Sequence, residues 1–340
     1  MTPVIPYRLH DFRPIAGVHA MGRVKVNRAD LLRASATIGV TPFGRSANRA
    51  PTVTELLWRV AMADANLYED GHHWRRSDSY TFLNPTEKGA VSYFLGQVQA
   101  KIVAETIFQV STFAQFESYL QARGIPLRRS RPDFIGFDDS GSVFLTVEAK
   151  GRFGTRPSNT EIASAKLQSQ AINPGGSYPN DFVYAHVSYF QDDHWNADLY
   201  DPPAARKGQN LDIQHAMFAH YWPTVSAINE RTQSGFESTG MDSRLAQFDD
   251  FRTAMFPEVG IAIGVPSATY RSTLEFAAQN RGGVKVHPDT GIVKSHEVQE
   301  LRSRFGDNRI SVGNDGMICE LIDDGSREIQ QTSDARPVIP

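Results

Sequence analysis

A single cysteine, Cys319, stands in 340 residues. One thiol can build neither an intrachain disulfide framework nor a cysteine zinc cluster, and such scarcity is what a reducing compartment predicts. Long apolar runs are missing too: no stretch reaches the 18 or more residues of a membrane helix, and the opening MTPVIPYRLHDFRP lacks the apolar core of a signal peptide. A soluble, unprocessed, cytoplasmic protein with no membrane partner is expected. Neither sign of charge dominates. Thirty-five Lys and Arg stand against 38 Asp and Glu, a net charge of −3, which excludes a uniformly basic histone-like binder and a polyacidic tail. Any contact with nucleic acid therefore has to be a local patch. The chain also has no Gly-x4-Gly-Lys-Ser/Thr loop, no Gly-x-Gly-x-x-Gly, no Gly-x-Ser-x-Gly elbow and no His-Glu-x-x-His. An ATP-driven motor is excluded on that ground.

What is present suits a folded globule. Hydrophobic residues make up 40%, about 48% with glycine, enough for a sizeable core, and the length allows two domains or one elaborated α/β domain. Residues 1–51 are Arg-rich with poor periodicity and read as an arm with a short helix at RADLLRASATIGVTP. Helical spacing predicts a helix over Thr54–Tyr68 and a longer one over about Thr86–Gln109, where Val91, Phe94, Leu95, Val98, Ile102 and Ile107 form an apolar stripe with Glu105 close to it. A further helix carries Phe113, Phe116, Tyr119 and Leu120 and stops at Gly124. The period then changes. PDFIGF and SVFLTVEAK flank Asp138-Asp139-Ser140-Gly141 and predict a β-hairpin. A helix over Asn159–Ile172 and a strand over Asp181–Phe190 follow.

Beyond Gln191 the polar run with Pro202-Pro203 reads as a long surface loop. A helix is expected over Leu211–Asn229 with a kink or break at Pro223, then a short helix, a buried strand at Val259–Val265, a helix near Ser272–Gln279, strands around Gly283–Val293, and a hairpin in ISVGNDGMICELI. The segment His72-His73-Trp74-Arg75-Arg76 reads as a solvent loop.

Chemistry concentrates in the first hairpin. Asp133 opens one arm, and Glu148-Ala149-Lys150 closes the other. Residues i and i+2 of a strand share a face, so Glu148 and Lys150 point the same way and Asp133 lies across the hairpin from Glu148. Two carboxylates and an ammonium would converge at one end of a sheet, as a hard divalent cation and a water require. Strand-end charges are commonly just solvated, but this pair emerges from the apolar run VFLTV, where unpaired charge would be costly.

Pro-Asp followed by Glu-x-Lys, with this order of elements, resembles the PD-(D/E)xK nuclease superfamily, which includes many restriction endonucleases. The resemblance covers roughly Glu87–Phe190, about 100 of 340 residues. It implies an α/β fold with a restriction-endonuclease-like αβββαβ core, a mixed sheet flanked by helices. It also implies that Asp133, Glu148 and the Ala149 carbonyl hold Mg2+, for which Mn2+ would substitute, that Lys150 acts on the attacking water, and that Glu105 joins the metal site. One branch of the family has a Gln on the following helix with a Tyr four residues later. Gln168 and Gln170 are candidates here, although Ile172 and Pro174 stand where that Tyr would be.

The segments implied are 1–85, a basic arm and helical part; 86–190, the nuclease core; 191–325, an α+β extension for substrate recognition or dimerisation; and 326–340, a polar tail. Arg128, Arg129, Arg131, Arg152 and Lys166 surround the motif and are the expected phosphate contacts. DNA hydrolysis is the expected activity, with a homodimer and a restriction or anti-phage defence setting with other defence proteins as what the resemblance implies. RNA as substrate, a toxin, and a catalytically silent binding or scaffold protein are the alternatives. A histidine metallohydrolase built on His186, His194, His215 and His220 is disfavoured, because His215 and His220 are five apart and share a helix face poorly.

Overall fold

The computed structural model describes residues 2–14, 17–39, 53–127, 131–140, 143–154, 156–170, 182–201, 212–235, 243–282, 293–305 and 307–322. In chain order the elements are β1 (Val4–His10), β2 (Met21–Lys25), α1 (Arg28–Thr37), α2 (Val53–Asn66), β3 (Leu67–Asp70), β4 (His73–Arg76), α3 (Asp78–Phe82), α4 (Pro85–Ile107), β5 (Thr112–Gln115), α5 (Phe116–Ala122), β6 (Phe134–Phe137), β7 (Val143–Gly151), α6 (Asn159–Ser169), β8 (Phe182–Gln191), β9 (His194–Tyr200), α7 (Ile213–Gln233), β10 (Phe251–Phe256), β11 (Ile261–Pro266), α8 (Ser267–Gly282), α9 (Ser295–Phe305), β12 (Ile310–Val312) and β13 (Ile318–Leu321). No helix among the described residues is long and apolar enough to cross a membrane.

Local chemistry sets the ends of the key helices. Asn84 caps α4 in a reciprocal box with Glu87, with Pro85 at the first turn where its missing N–H costs nothing, and Ser158 with Glu161 does the same for α6. Both helices serve one mixed sheet that has nine strands among the described residues, ordered β2-β1-β4-β9-β8-β7-β6-β5, with β3 on β4 and β1 also pairing β9 directly. Strands β5, β6 and β7 run as an antiparallel meander; α6 then carries the chain over so that β8 lies parallel to β7, Glu148 beside Ala185 and Lys150 beside Val187. Strand β8 is buried on both faces, as a central strand should be. Ala185, Val187 and Tyr189 pack on Ala165 of α6. His186, on the opposite face, bonds Gln99 of α4 at 3.0 Å. The remaining four strands form a separate antiparallel sheet, β10-β11-β13-β12.

The α/β class is as expected and helices fill most of the spans read from periodicity, but Phe113, expected on a helix, lies on β5 ahead of α5, and several strands escaped the reading. The expected arm contains β1 and β2, and the expected loop at His72–Arg76 contains β4 of a hairpin with β3. Pro6 disguises β1. It falls between the pairings of Val4 with His73 and Tyr7 with Ala197, where no ladder donor is needed on that side. The polar run after Gln191 begins with a tight turn, Asp192 and Asp193 at φ of 51° and 62°, which returns the chain as β9. Trp195, Ala197 and Leu199 alternate with Asn196 and Asp198 along it, a short strand pattern set inside an otherwise polar run. Helix α7 runs through Pro223 without ending, because Met217, Phe218, Tyr221, Trp222, Val225 and Ile228 bury its flanks on both sides. The segment boundaries at 85/86 and 190/191 do not mark breaks in packing: Leu31 of α1, Val103 of α4, Tyr221 of α7 and Cys319 of β13 share one hydrophobic cluster. The loop at Pro202-Pro203, the strands expected over 283–292 and the tail from 326 lie outside the described residues.

Candidate functional site

Asp133 sits immediately before β6, its main-chain carbonyl accepting from the Phe116 N–H at 2.8 Å. Its side chain is pinned as well: Oδ2 accepts from the Ala149 N–H at 2.8 Å. The first carboxylate is thereby fixed to the strand that carries the second. Glu148 is 2% exposed, and Lys150 Nζ donates to its Oε1. The other oxygen, Oε2, is buried without a hydrogen-bond partner. All three side chains open into one cavity of about 220 Å³, lined also by Tyr93 and Gln97 of α4, Gln115 of β5, Glu117 of α5, Arg131 and Gln168.

The electrostatics follow from this burial. Desolvation pushes Glu148 up to about 8; the Asp133 charge adds to the shift, and Lys150 opposes it. Asp133 is raised for the same first reason, against the pull of the Ala149 N–H, Lys150 and Arg131. Two facing carboxylates that resist joint ionisation are poised to accept a cation. The donor set fits Mg2+: hard carboxylate oxygens, one of them unpartnered, and the Ala149 carbonyl, which leaves the strand on the same side as the N–H that holds Asp133. Among the described residues no group of three or more His, Cys, Asp or Glu is arranged to hold a metal ion. A cation here would rely on two carboxylates, a carbonyl and waters, a set that Mg2+ accepts.

Of the expected site residues, Asp133, Glu148, Lys150, Arg131 and Gln168 meet at the cavity. Glu105 does not. It lies two helical turns beyond Gln97, gripped by both terminal nitrogens of Arg33 at 3.2 and 2.6 Å and by Lys101 at 3.4 Å. That corrects its assignment to the metal site: α4 presents Tyr93 and Gln97 there instead. Gln170 is buried and is not part of the cavity wall. Among the expected phosphate contacts, Arg131 bonds Glu117 at 2.6 Å, Arg152 pairs with Glu161, and Lys166 pairs with Asp11 at 2.7 Å. Arg128 and Arg129 lie outside the described residues.

The histidines do not converge. His186 is buried against Gln99 and pushed down to about 3 by desolvation, His194 stacks on His73 at 4.3 Å, His215 faces Asp212, and His220 bridges the Phe113 carbonyl and Asp315.

Sequence reasoning passed over Tyr93, Gln97, Gln115 and Glu117. The first two are one turn apart on α4, four residues along one face, a pair that helical spacing could have flagged. The last two belong to β5 and the start of α5, where an aromatic-rich run reads as helix throughout. What brings α4 to the site is a pair of glycines: a Cβ on Gly96 would sit 2.7 Å from the Gly151 nitrogen. No family model, no curated protein and no solved structure matches the chain.

Proposed function

We propose that the protein is a Mg2+-dependent nuclease that hydrolyses DNA phosphodiester bonds, with α4, β5, β6, β7, α6 and β8 serving as a restriction-endonuclease-like core. The observation that carries this reading is the convergence of the Asp133 and Glu148 carboxylates and the Lys150 ammonium in one cavity, with the Ala149 N–H locking Asp133 in place. The meander β5-β6-β7 with a parallel β8 after a crossover helix supports it, since that is the order the resemblance implies.

Asp133, Glu148 and the Ala149 carbonyl would hold the cation. When bound, it would polarise the scissile phosphate and lower the pKa of a coordinated water. Lys150 sits beside Glu148 with its Nζ at the cavity, placed to orient the attacking water and to offset negative charge growing on the phosphate oxygens. Water oxygen bonds to phosphorus as the bond to the leaving sugar oxygen breaks; the water proton passes to solvent, and the leaving oxygen takes up a proton from solvent to become the sugar hydroxyl. Gln97 and Gln115, bonded to each other at 3.3 Å, form a neutral wall that adds no charge against an incoming polyanion. Because the described Arg131, Arg152 and Lys166 are each paired with a carboxylate, the reading does not lean on a basic tract.

Incubation with supercoiled plasmid, linear duplex, single-stranded DNA and RNA, with Mg2+ and with EDTA, tests it. Mg2+-dependent cleavage of DNA, abolished in Asp133→Ala, is the expected result. No cleavage of any substrate, or cleavage untouched by Asp133→Ala, would overturn the proposal.

A further inference from the structure

A row of aromatic side chains starts at the wall of the cavity. Tyr93, 43% exposed, is both a cavity wall and the start of a row: its ring meets Phe94 at 5.4 Å, and Phe94 meets Trp58 of α2 at 4.5 Å in an edge-to-face contact. Trp58 is 50% exposed. Phe153, 47% exposed, lies two residues past Gly151, whose backbone abuts Ser92 and Tyr93. Two exposed aromatic rings joined through Phe94, one of them in the wall of a polar cavity, mark a contact surface.

We infer that this row stacks on unpaired nucleobases, so that the substrate is a nucleic-acid strand with single-stranded character at the point of cleavage. The inference rests on the nuclease reading in one respect, that the cavity is where the phosphodiester lies. From there it follows from shape. In a paired duplex the base faces are covered by their neighbours, and only edges and backbone are offered to a protein. The exposed faces of the Tyr93 and Trp58 rings have nothing to stack on there. An unpaired strand exposes the face of each base, and aromatic side chains bind such faces with little regard to sequence. The edge-to-face contact with Phe94 holds the Trp58 ring in place before any ligand arrives, which reduces the ordering cost of binding. Tyr93 joins the two functions, one end of the row at the carboxylates and the other 35 residues back in the chain at Trp58.

Trp58 also supplies its own reporter, because the other three tryptophans, Trp74, Trp195 and Trp222, are buried. Fluorescence quenchable by acrylamide therefore belongs to Trp58. In EDTA, oligothymidine and oligouridine should each quench it in a saturable way, while a blunt duplex of equal length should not. Trp58→Ala should weaken binding of both single strands by about tenfold, in the range of one lost stacking contact, leave duplex affinity unchanged, and be largely restored by Trp58→Phe. Circular dichroism checks that each variant is folded. Absence of quenching, equal affinity for duplex, or unchanged single-strand affinity in Trp58→Ala would overturn the inference. The two readings fail separately: quenching with the tenfold loss in a protein that never cleaves keeps this one and removes the nuclease, whereas Mg2+-dependent duplex cleavage without quenching does the reverse.

Discussion

The Ser92 carbonyl oxygen occupies the space where a side chain on Gly151 would stand. Helix α4 and the end of β7 touch backbone to backbone at that point, with Gly96 meeting Gly151 from the other partner. Tyr93 and Gln97 flank the contact and reach the cavity because of it. Gly151→Ala should therefore force the helix off the strand. Overpacking where neither side can yield predicts a loss of about 2–3 kcal/mol, read by denaturant unfolding. A variant as stable as the parent would mean that α4 is not seated on β7 in this way.

Lys150→Ala separates chemistry from binding. If Lys150 acts on water and on transition-state charge, its loss should slow single-turnover cleavage roughly 100- to 1,000-fold, about 3–4 kcal/mol of barrier, while melting temperature and affinity measured in EDTA stay close to the parent. A Lys150 that only braces Glu148 would give parallel losses in stability, binding and cleavage. Undiminished cleavage would remove it from the chemistry altogether.

A buried charge network away from the site sets the acid limit of the fold. Burial alone would raise the Asp315 carboxyl, but Lys101 at 3.3 Å, the His220 ring at 2.9 Å and Arg33 nearby hold it well below the usual carboxylate range. A carboxylate depressed in the folded state stabilises that state above its unfolded pKa of about 4, and the contribution fades as pH falls below that value. Asp315→Asn should cost about 3 kcal/mol at neutral pH, since it takes the buried negative charge from Lys101 and His220 and leaves Lys101 only Glu105 as a carboxylate partner. The gap in melting temperature between parent and variant should narrow from pH 4 downward. A gap independent of pH would show that the Asp315 charge does not hold the network.

Much of the site was legible before any coordinates, because it lies within one hairpin. Strand alternation is local physics, and it places Glu148 and Lys150 on one face and Asp133 opposite from spacing alone. The turn residues that close the hairpin are local in the same sense; Asp138 accepts from the Ser140 N–H and hydroxyl. Helices α2, α4, α6 and α7 announced themselves through apolar spacing that lies within each segment.

Which residue a helix delivers to a site 40 positions away is a different kind of question. Glu105 and Gln97 lie on the same helix, and no rule of periodicity chooses between them at that range. The choice was made by a close approach of two glycines, which fixes where α4 crosses β7, and by Arg33 of α1, which pairs with Glu105 in a region distant in sequence. The same holds for β1 and β9, whose partners come from opposite parts of the chain, and for β5, whose strand state depends on pairing with β6. The residues of the hairpin, its caps and its alternation were determined by the sequence directly. Tertiary packing alone decided that Tyr93, Gln97 and Glu117 complete the cavity, because contacts between elements depend on the shapes both surfaces present when they meet.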